Sequence, residues 1–359
     1  MLLKPTRSAT LLIDLDALAR NFARLRTAAS PAECAAVVKA DAYGLGVAPV
    51  ARRLLREGCK RFFVATAAEA AELRALAPGV DIYVLEGARD GEVETLAAAG
   101  ATPVLCSLEQ VERWRGRGRA LLQIDTGMGR LGLSSRDVEE LERRPELLAG
   151  IEIELVATHL ACADEPEHPL NGLQLEAFDR LRRRLATARV SIGNSAGTLT
   201  GAAQRGDVVR PGIGLYGGNP FADRSNPFEP VVTLNAPIVQ VREVDAAQTV
   251  GYGATFGIAP PARLAVLALG YADGYPRALG NRGVVAIAGR RAPVVGRVSM
   301  DLICCDVTAL PGELVRIGTP VEAVGPNVPL DEVAAAAGTI GYEILTRLSP
   351  RLKREYRGQ

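Results

Sequence analysis

The stretch Ala35-Ala36-Val37-Val38-Lys39-Ala40-Asp41-Ala42-Tyr43-Gly44-Leu45-Gly46 passes from an apolar run through a lysine into a turn that carries two glycines. The apolar part has the length of a buried strand, and the glycines end it sharply. With residues 34–40 as the first, seven more runs of this kind follow, at 61–66, 82–86, 103–106, 121–125, 155–159, 190–193 and 208–213. Between them lie stretches whose apolar residues recur at helical spacing, such as 69–76 and 173–188. Eight strands alternating with helices predict a parallel (β/α)8 TIM barrel over residues 11–222. A doubly wound open sheet is the alternative, and it is disfavoured because no Gly-x-Gly-x-x-Gly follows the first strand.

Past about residue 220 the pattern changes. The segment 219–230 is rich in Pro, Asn and charge, as linkers are. Beyond it come β-branched runs broken by Gly and Pro, at 231–234, 238–241, 264–269, 284–288, 294–298, 302–307 and 314–317. A helical stretch at 330–337 is the main interruption. This predicts a second, mainly β C-terminal domain over residues 223–359. The apolar run 9–15 is one strand too many for the barrel, so the N-terminal strand, within residues 1–10, is a candidate to join the β domain.

Composition narrows the class. The 359 residues are 48% hydrophobic and 23% charged with a formal net charge of +1, the balance of a soluble globular chain. The arginines are dispersed, without the basic face of a nucleic-acid binder. No run is apolar enough over ~18 residues to span a membrane, and the N-terminus lacks an apolar signal segment, so a cytoplasmic location is expected. Six cysteines without a Cys-x-x-Cys pair, beside two histidines, argue for free thiols and against a metal cluster.

Functional groups of a barrel gather on the loops after the C-terminal strand ends. Lys39 is there, one of four lysines beside 38 arginines. A primary amine is what Schiff-base chemistry needs, and a guanidinium cannot replace it because it keeps its proton. Tyr43 shares its loop, and Arg130, His159, Asn194, Ser195 and Arg210 stand at or after other strand ends, with Gly212 and Ile213 offering bare backbone N–H groups. A cation, an aromatic ring, hydroxyls and glycine backbone on one rim suit a phosphate-bearing aromatic cofactor. Asn194 and Ser195 also suit an ordinary turn, and His159 an ordinary buried histidine.

Six motifs resemble those of the bacterial alanine racemases: 37–46, 125–132, 209–217, 251–256, 270–274 and 296–301. They occur in the family's order across residues 9 to 355. The resemblance implies a homodimer that uses pyridoxal 5′-phosphate (PLP), with active sites shared between subunits and L- and D-alanine as substrates. The D-alanine would supply peptidoglycan. By the same resemblance Lys39 holds PLP as a Schiff base and acts as base on one face of the substrate. Tyr252, from the second subunit, is the base on the other. Tyr43, Ser195, Gly212, Ile213 and Tyr342 match phosphate-binding positions. Arg210 matches the arginine at the pyridine nitrogen, with His159 beside it. Arg130 and Met300 match substrate-carboxylate contacts, and Tyr271 a tyrosine lining the entrance.

One position departs from the family. Many members carry, seven residues before the arginine matched by Arg130, a lysine whose carbamylated side chain holds that arginine. This chain has Gln123, which is expected to orient Arg130 through a hydrogen bond to its amide oxygen. A racemase of broader amino-acid range is the nearest alternative function. A non-catalytic PLP-binding barrel is another, but it would need neither Tyr252 nor Met300. A decarboxylase would place an acid, not Arg210, at the pyridine nitrogen.

Overall fold

Short β-branched and aromatic runs without polar alternation are stable where both faces are buried, as in a parallel sheet covered by helices. The computed structural model, which describes residues 8–185 and 189–358, has that arrangement. Strands Arg61–Val64, Asp81–Val84, Thr102–Leu105, Gly118–Gln123, Ile151–Ala157, Val190–Ser191 and Val208–Val209 pair in parallel, in that order. The remaining barrel strand is split at Ala35. Its half Glu33–Cys34 pairs with Val208–Val209 and its half Ala36–Val37 with Arg61–Val64, which closes the ring. The structure is therefore a (β/α)8 barrel followed by a mainly β domain. The longer helices cover the barrel with an apolar stripe. Val47–Arg56 buries Val47, Val50, Ala51 and Leu54, a single helical face. The helix expected at 173–188 starts earlier, as Pro169–Arg182, because His168 caps it and Pro169 suits its first turn. Residues 186–188 lie outside the described residues.

The N-terminal ends of the barrel strands carry a charged network. Arg61 binds Glu33 at 2.6 Å and Glu154 at 2.5 Å, and Arg189 binds Glu33 at 2.5 Å. Arg119 bridges Asp81 and Glu154, and the Tyr83 hydroxyl donates to Glu154 at 2.8 Å. Burial would raise the Glu154 pKa, but its bonds to Arg119, Arg61 and Tyr83 outweigh that and hold it below the usual carboxylate range. Buried ions persist only when paired in this way.

Contacts divide the chain into two compact units. One is Ala19–Leu215 with Asn219–Phe228, so the linker-like segment belongs largely to the barrel unit. The other joins the chain before Ala19 to Tyr216–Gly218 and to the chain from Glu229 onward. The N-terminal strand is Thr10–Asp14, and residues 1–7 lie outside the described residues. It pairs antiparallel with Val232–Val244 and parallel with Lys353–Arg357. The two runs read as 231–234 and 238–241 are one strand, Val232–Val244, bent by a bulge between Ile238 and Gln240. The expected strand at 314–317 is not formed, because Pro311 and Gly312 open a 3-10 turn at Gly312–Leu314, and the strand is Pro320–Val324 instead. A separate hairpin, Gln248–Val250 with Phe256–Ile258, carries Tyr252 in its loop. Among the described residues no helix is long and apolar enough to cross a membrane.

Candidate active site

Lys39 follows the half-strand Ala36–Val37 and begins an unusual turn. Ala40, Asp41, Ala42 and Tyr43 all have left-handed backbone angles, with φ of 53°, 52°, 53° and 59°. Each such residue costs roughly 1–2 kcal/mol in an L-amino acid chain, so the turn must be held from several sides. Ala42 N–H donates to Val38 O at 2.9 Å and Gly46 N–H to Asp41 O at 3.0 Å. The Asp41 carboxylate accepts from Val47 N–H at 2.6 Å. The turn buries Ala42 and Tyr43 and leaves Lys39 half-buried. Burial, with help from the Arg130 charge, lowers the Lys39 pKa against the opposing pull of Glu69 and Glu86. A lowered pKa is what an amine needs to act as a nucleophile or base near neutral pH.

Ser195 is 2% exposed, and its hydroxyl oxygen accepts from the N–H groups of Gly212 and Gly214 at 3.0 and 3.1 Å. A side chain at Gly212 would collide with the Tyr43 hydroxyl, so that hydroxyl lies directly against bare backbone. Ile213 is buried at the start of the next 3-10 turn. The Ser195 hydroxyl accepts from those two N–H groups and so keeps its own proton to give, and with the Tyr43 hydroxyl and the Ile213 N–H nearby this makes a donor set that fits a phosphate. Asn194 takes the structural role open to it, because its side chain caps the short helix Ser195–Thr200 by accepting from Gly197 N–H at 3.0 Å.

Arg210 is buried and bonded through both of its terminal nitrogens. It donates to the Ser191 hydroxyl at 2.5 Å, to Thr158 O at 2.8 Å and to Ile192 O at 3.3 Å, and its guanidinium lies over the Phe63 ring. Burial lowers its pKa to about 10, which leaves it cationic at neutral pH. Its remaining contact is with Nδ1 of His159 at 3.4 Å. Arginine can only donate, so that nitrogen accepts and the imidazole carries its proton on Nε2. Burial and the charges of Arg210, Arg130 and Lys39 push the His159 pKa down to about 3, so the ring is neutral.

Arg130 sits on the loop after strand Gly118–Gln123, exposed and, among the described residues, without a hydrogen-bond or ion-pair partner. Its loop is what is held. The Asp125 carboxylate accepts from the N–H groups of Gly127, Met128 and Gly129 at 2.9 to 3.1 Å. Gln123 departs from expectation. Its amide NH2 donates to Leu131 O at 2.8 Å, so it grips the backbone beside Arg130 rather than the guanidinium. Sequence reasoning also missed Gln174. Fully buried on the helix Pro169–Arg182, it donates to the Thr126 hydroxyl and to His159 O, and accepts from Ala161 N–H. A glutamine in the apolar stripe of a helix was the available signal.

The β unit presents its own group of predicted residues on the segment 296–301 and the loops beside it. Tyr252 is 72% exposed, and its neighbours Gly251 and Gly253 lie against Gly296 and Arg297. Tyr271 N–H donates to Ser299 O, and the next residue's N–H to Met300 O, so the exposed Tyr271 and Met300 adjoin. Tyr342 lies on the helix Gly341–Thr346, also exposed.

The family model described as alanine racemase, N-terminal domain, matches residues 13–220, and the one described as alanine racemase, C-terminal domain, matches 231–356. The catabolic alanine racemase of Agrobacterium fabrum is 46% identical over 97% of this chain and 92% of its own length. The alanine racemase of Methylobacterium nodulans is 46% identical over 98% and 96%. Among solved structures, the Bartonella henselae alanine racemase with covalently bound pyridoxal phosphate superposes with a TM-score of 0.93 at 39% identity, covering 98% of this chain and 100% of that one. The biosynthetic enzyme of Pseudomonas aeruginosa gives 0.92 at 38% identity, with the same coverage.

Proposed function

The chain belongs to the alanine racemase family, a family of PLP-dependent isomerases, and from that premise we propose how its own residues interconvert L- and D-alanine. Lys39 carries the cofactor. Ser195, Tyr43, the N–H groups of Gly212 and Ile213, and Tyr342 take its phosphate, while Arg210 takes the ring nitrogen. PLP, when bound, supplies an electron sink that acidifies the substrate Cα–H.

The residues do the rest. Lys39, whose pKa burial lowers, takes or returns the proton on one face of Cα. Tyr252 of a second subunit serves the other face, which makes the protein a homodimer with shared sites. Because His159 is neutral, Arg210 would be the cation that meets the ring nitrogen. A guanidinium does not hand over its proton, so charge is not drawn deep into the ring and side reactions are limited. Arg130 receives the substrate carboxylate, the Met300 N–H contributes to holding it, and Tyr271 lines the entrance.

One observation carries this assignment: a half-buried lysine with a lowered pKa on the same barrel as the Ser195 and Tyr43 hydroxyls, which lie together against the bare backbone of Gly212. Borohydride reduction tests it. The purified protein should incorporate cofactor at Lys39, and Lys39→Ala should incorporate none and lose racemisation. Reduction onto another residue of the variant would refute the assignment.

Six free thiols suit a reducing cytoplasm, and the use we infer for the product is peptidoglycan. A deletion strain that needs added D-alanine to grow supports that use. One that grows without it, but no longer on D-alanine as carbon source, points to catabolism.

A further inference from the structure

The carboxylate of Glu69 does more than a helix cap requires. In a capping box the carboxylate at the third helical position accepts from the N–H of the cap residue. Glu69 and Thr66 form such a box at the start of Ala67–Leu76, but the Thr66 N–H bond is the longest that Glu69 accepts, at 3.4 Å. Its short bonds go elsewhere. Oε2 accepts from Ala65 N–H at 2.7 Å and Oε1 from Ala40 N–H at 2.8 Å.

Those two donors are not arbitrary. Ala65 directly follows the strand Arg61–Val64, which pairs with Ala36–Val37. Ala40 directly follows Lys39 and is the first of the four left-handed residues. One carboxylate thus spans two neighbouring strand ends and fastens the peptide at which the strained turn begins. Bonds from N–H to a carboxylate are among the stronger a backbone makes.

We propose that Glu69 is a positioning residue for Lys39, holding the first N–H of the left-handed turn and so fixing the backbone from which the amine is presented. This rests on the reading of Lys39 as the cofactor lysine. The carboxylate also acts through its charge. Glu69 and Glu86 favour the ammonium form of Lys39, whereas burial and Arg130 oppose it, and the neighbouring His159 is neutral. Removing Glu69 therefore moves Lys39 deprotonation to lower pH.

The test compares Glu69→Ala, Glu69→Gln and, as a control, Thr66→Ala, which breaks the capping box from its other side and leaves the bonds to Ala40 and Ala65 in place. Two quantities are read by mass spectrometry on the full chain. They are amide hydrogen exchange at Ala40 in the cofactor-loaded protein, and the pH midpoint of Lys39 acetylation after the cofactor is removed. Exchange at Ala40 should be about tenfold faster in Glu69→Ala, the loss of one charge-assisted bond, and intermediate in Glu69→Gln, whose amide keeps one acceptor oxygen. The acetylation midpoint should fall equally in both, because both remove the charge. Thr66→Ala should lower Tm and move neither readout.

Wild-type exchange at Ala40 in the Glu69 variants, or an unmoved midpoint, would reduce Glu69 to a helix cap, as would a Thr66→Ala variant that reproduces both effects. Should Glu69→Ala not fold, Glu69→Gln decides on the same readouts. Neither readout uses substrate, so they stand whichever way the borohydride test of Lys39 falls.

Discussion

Gln123 is where this chain parts from relatives with a carbamylated lysine, and its hydrogen bond sets the size of the effect. The amide donates to Leu131 O at 2.8 Å, one peptide from Arg130, in an exposed setting. A neutral bond of this kind contributes about 0.5–1.5 kcal/mol, and exposure to water puts it toward the lower end. Gln123→Ala frees the loop only at that point, because the Asp125 carboxylate still gathers three N–H groups. If Arg130 binds the substrate carboxylate, KM for alanine should rise about two- to threefold, and at most about twelvefold, with kcat changed less. Initial rates in both directions measure this. Since an amide cannot be carbamylated, wild-type activity should also be indifferent to dissolved carbon dioxide at constant pH and ionic strength. Gln123→Lys should acquire a bicarbonate dependence. A wild-type protein that loses activity on degassing and regains it with bicarbonate would refute the reasoning, as would a Gln123→Ala variant with unchanged KM.

Tyr252→Phe should lose solvent-deuterium exchange at Cα when started from L-alanine and retain it from D-alanine, as followed by NMR; equal losses would contradict a one-face role. Mixing inactive Lys39→Ala and Tyr252→Phe subunits should restore roughly a quarter of wild-type activity at random assortment, since half the dimers are mixed and each has one complete site. No recovery, with mixed dimers confirmed by native mass spectrometry, would mean that each site lies within one chain. Glu154→Gln should lower unfolding stability at pH 7 by about 1–3 kcal/mol, less than a fully buried pair because the network opens to solvent. The Glu154 pKa is lowered in the folded state, so its contribution is present above the ordinary carboxylate pKa and is lost as pH falls through the depressed value. Urea titrations should therefore show the gap between wild type and variant narrowing in acid, and a constant gap would overturn the sign.

The barrel was legible because its strands are fully buried. Runs such as Phe62-Phe63-Val64 and Ile82-Tyr83-Val84 have no polar face to confuse the reading. Lys39 could be singled out because lysine is so rare in this chain. The strand Lys353–Arg357 was missed for the opposite reason. It lies at the sheet edge with mostly charged residues, the composition that protects an edge from pairing with other chains. The glycines at 44 and 46 announced a turn, but nothing in Ala40-Asp41-Ala42-Tyr43 announces four left-handed residues, since none is glycine. Their conformation is imposed from outside, by the Glu69 carboxylate on Ala40 N–H and the Val47 N–H on the Asp41 carboxylate among others. The target of the Gln123 amide was equally hidden, because whether a glutamine donates to a loop or accepts from an arginine depends on the loop's path.

The strand Thr10–Asp14 is made before the barrel, yet its parallel partner Lys353–Arg357 is synthesised long after it. At ribosomal rates of about 5–20 residues per second, the two are separated by tens of seconds. The barrel, Ala19–Leu215, is contiguous in sequence apart from a short later segment and can emerge and close within that interval. Folding during translation should thus run from the inside outward along the chain: barrel first, then the antiparallel pairing of Thr10–Asp14 with Val232–Val244, and the closing parallel pair only once Lys353–Arg357 has left the ribosome.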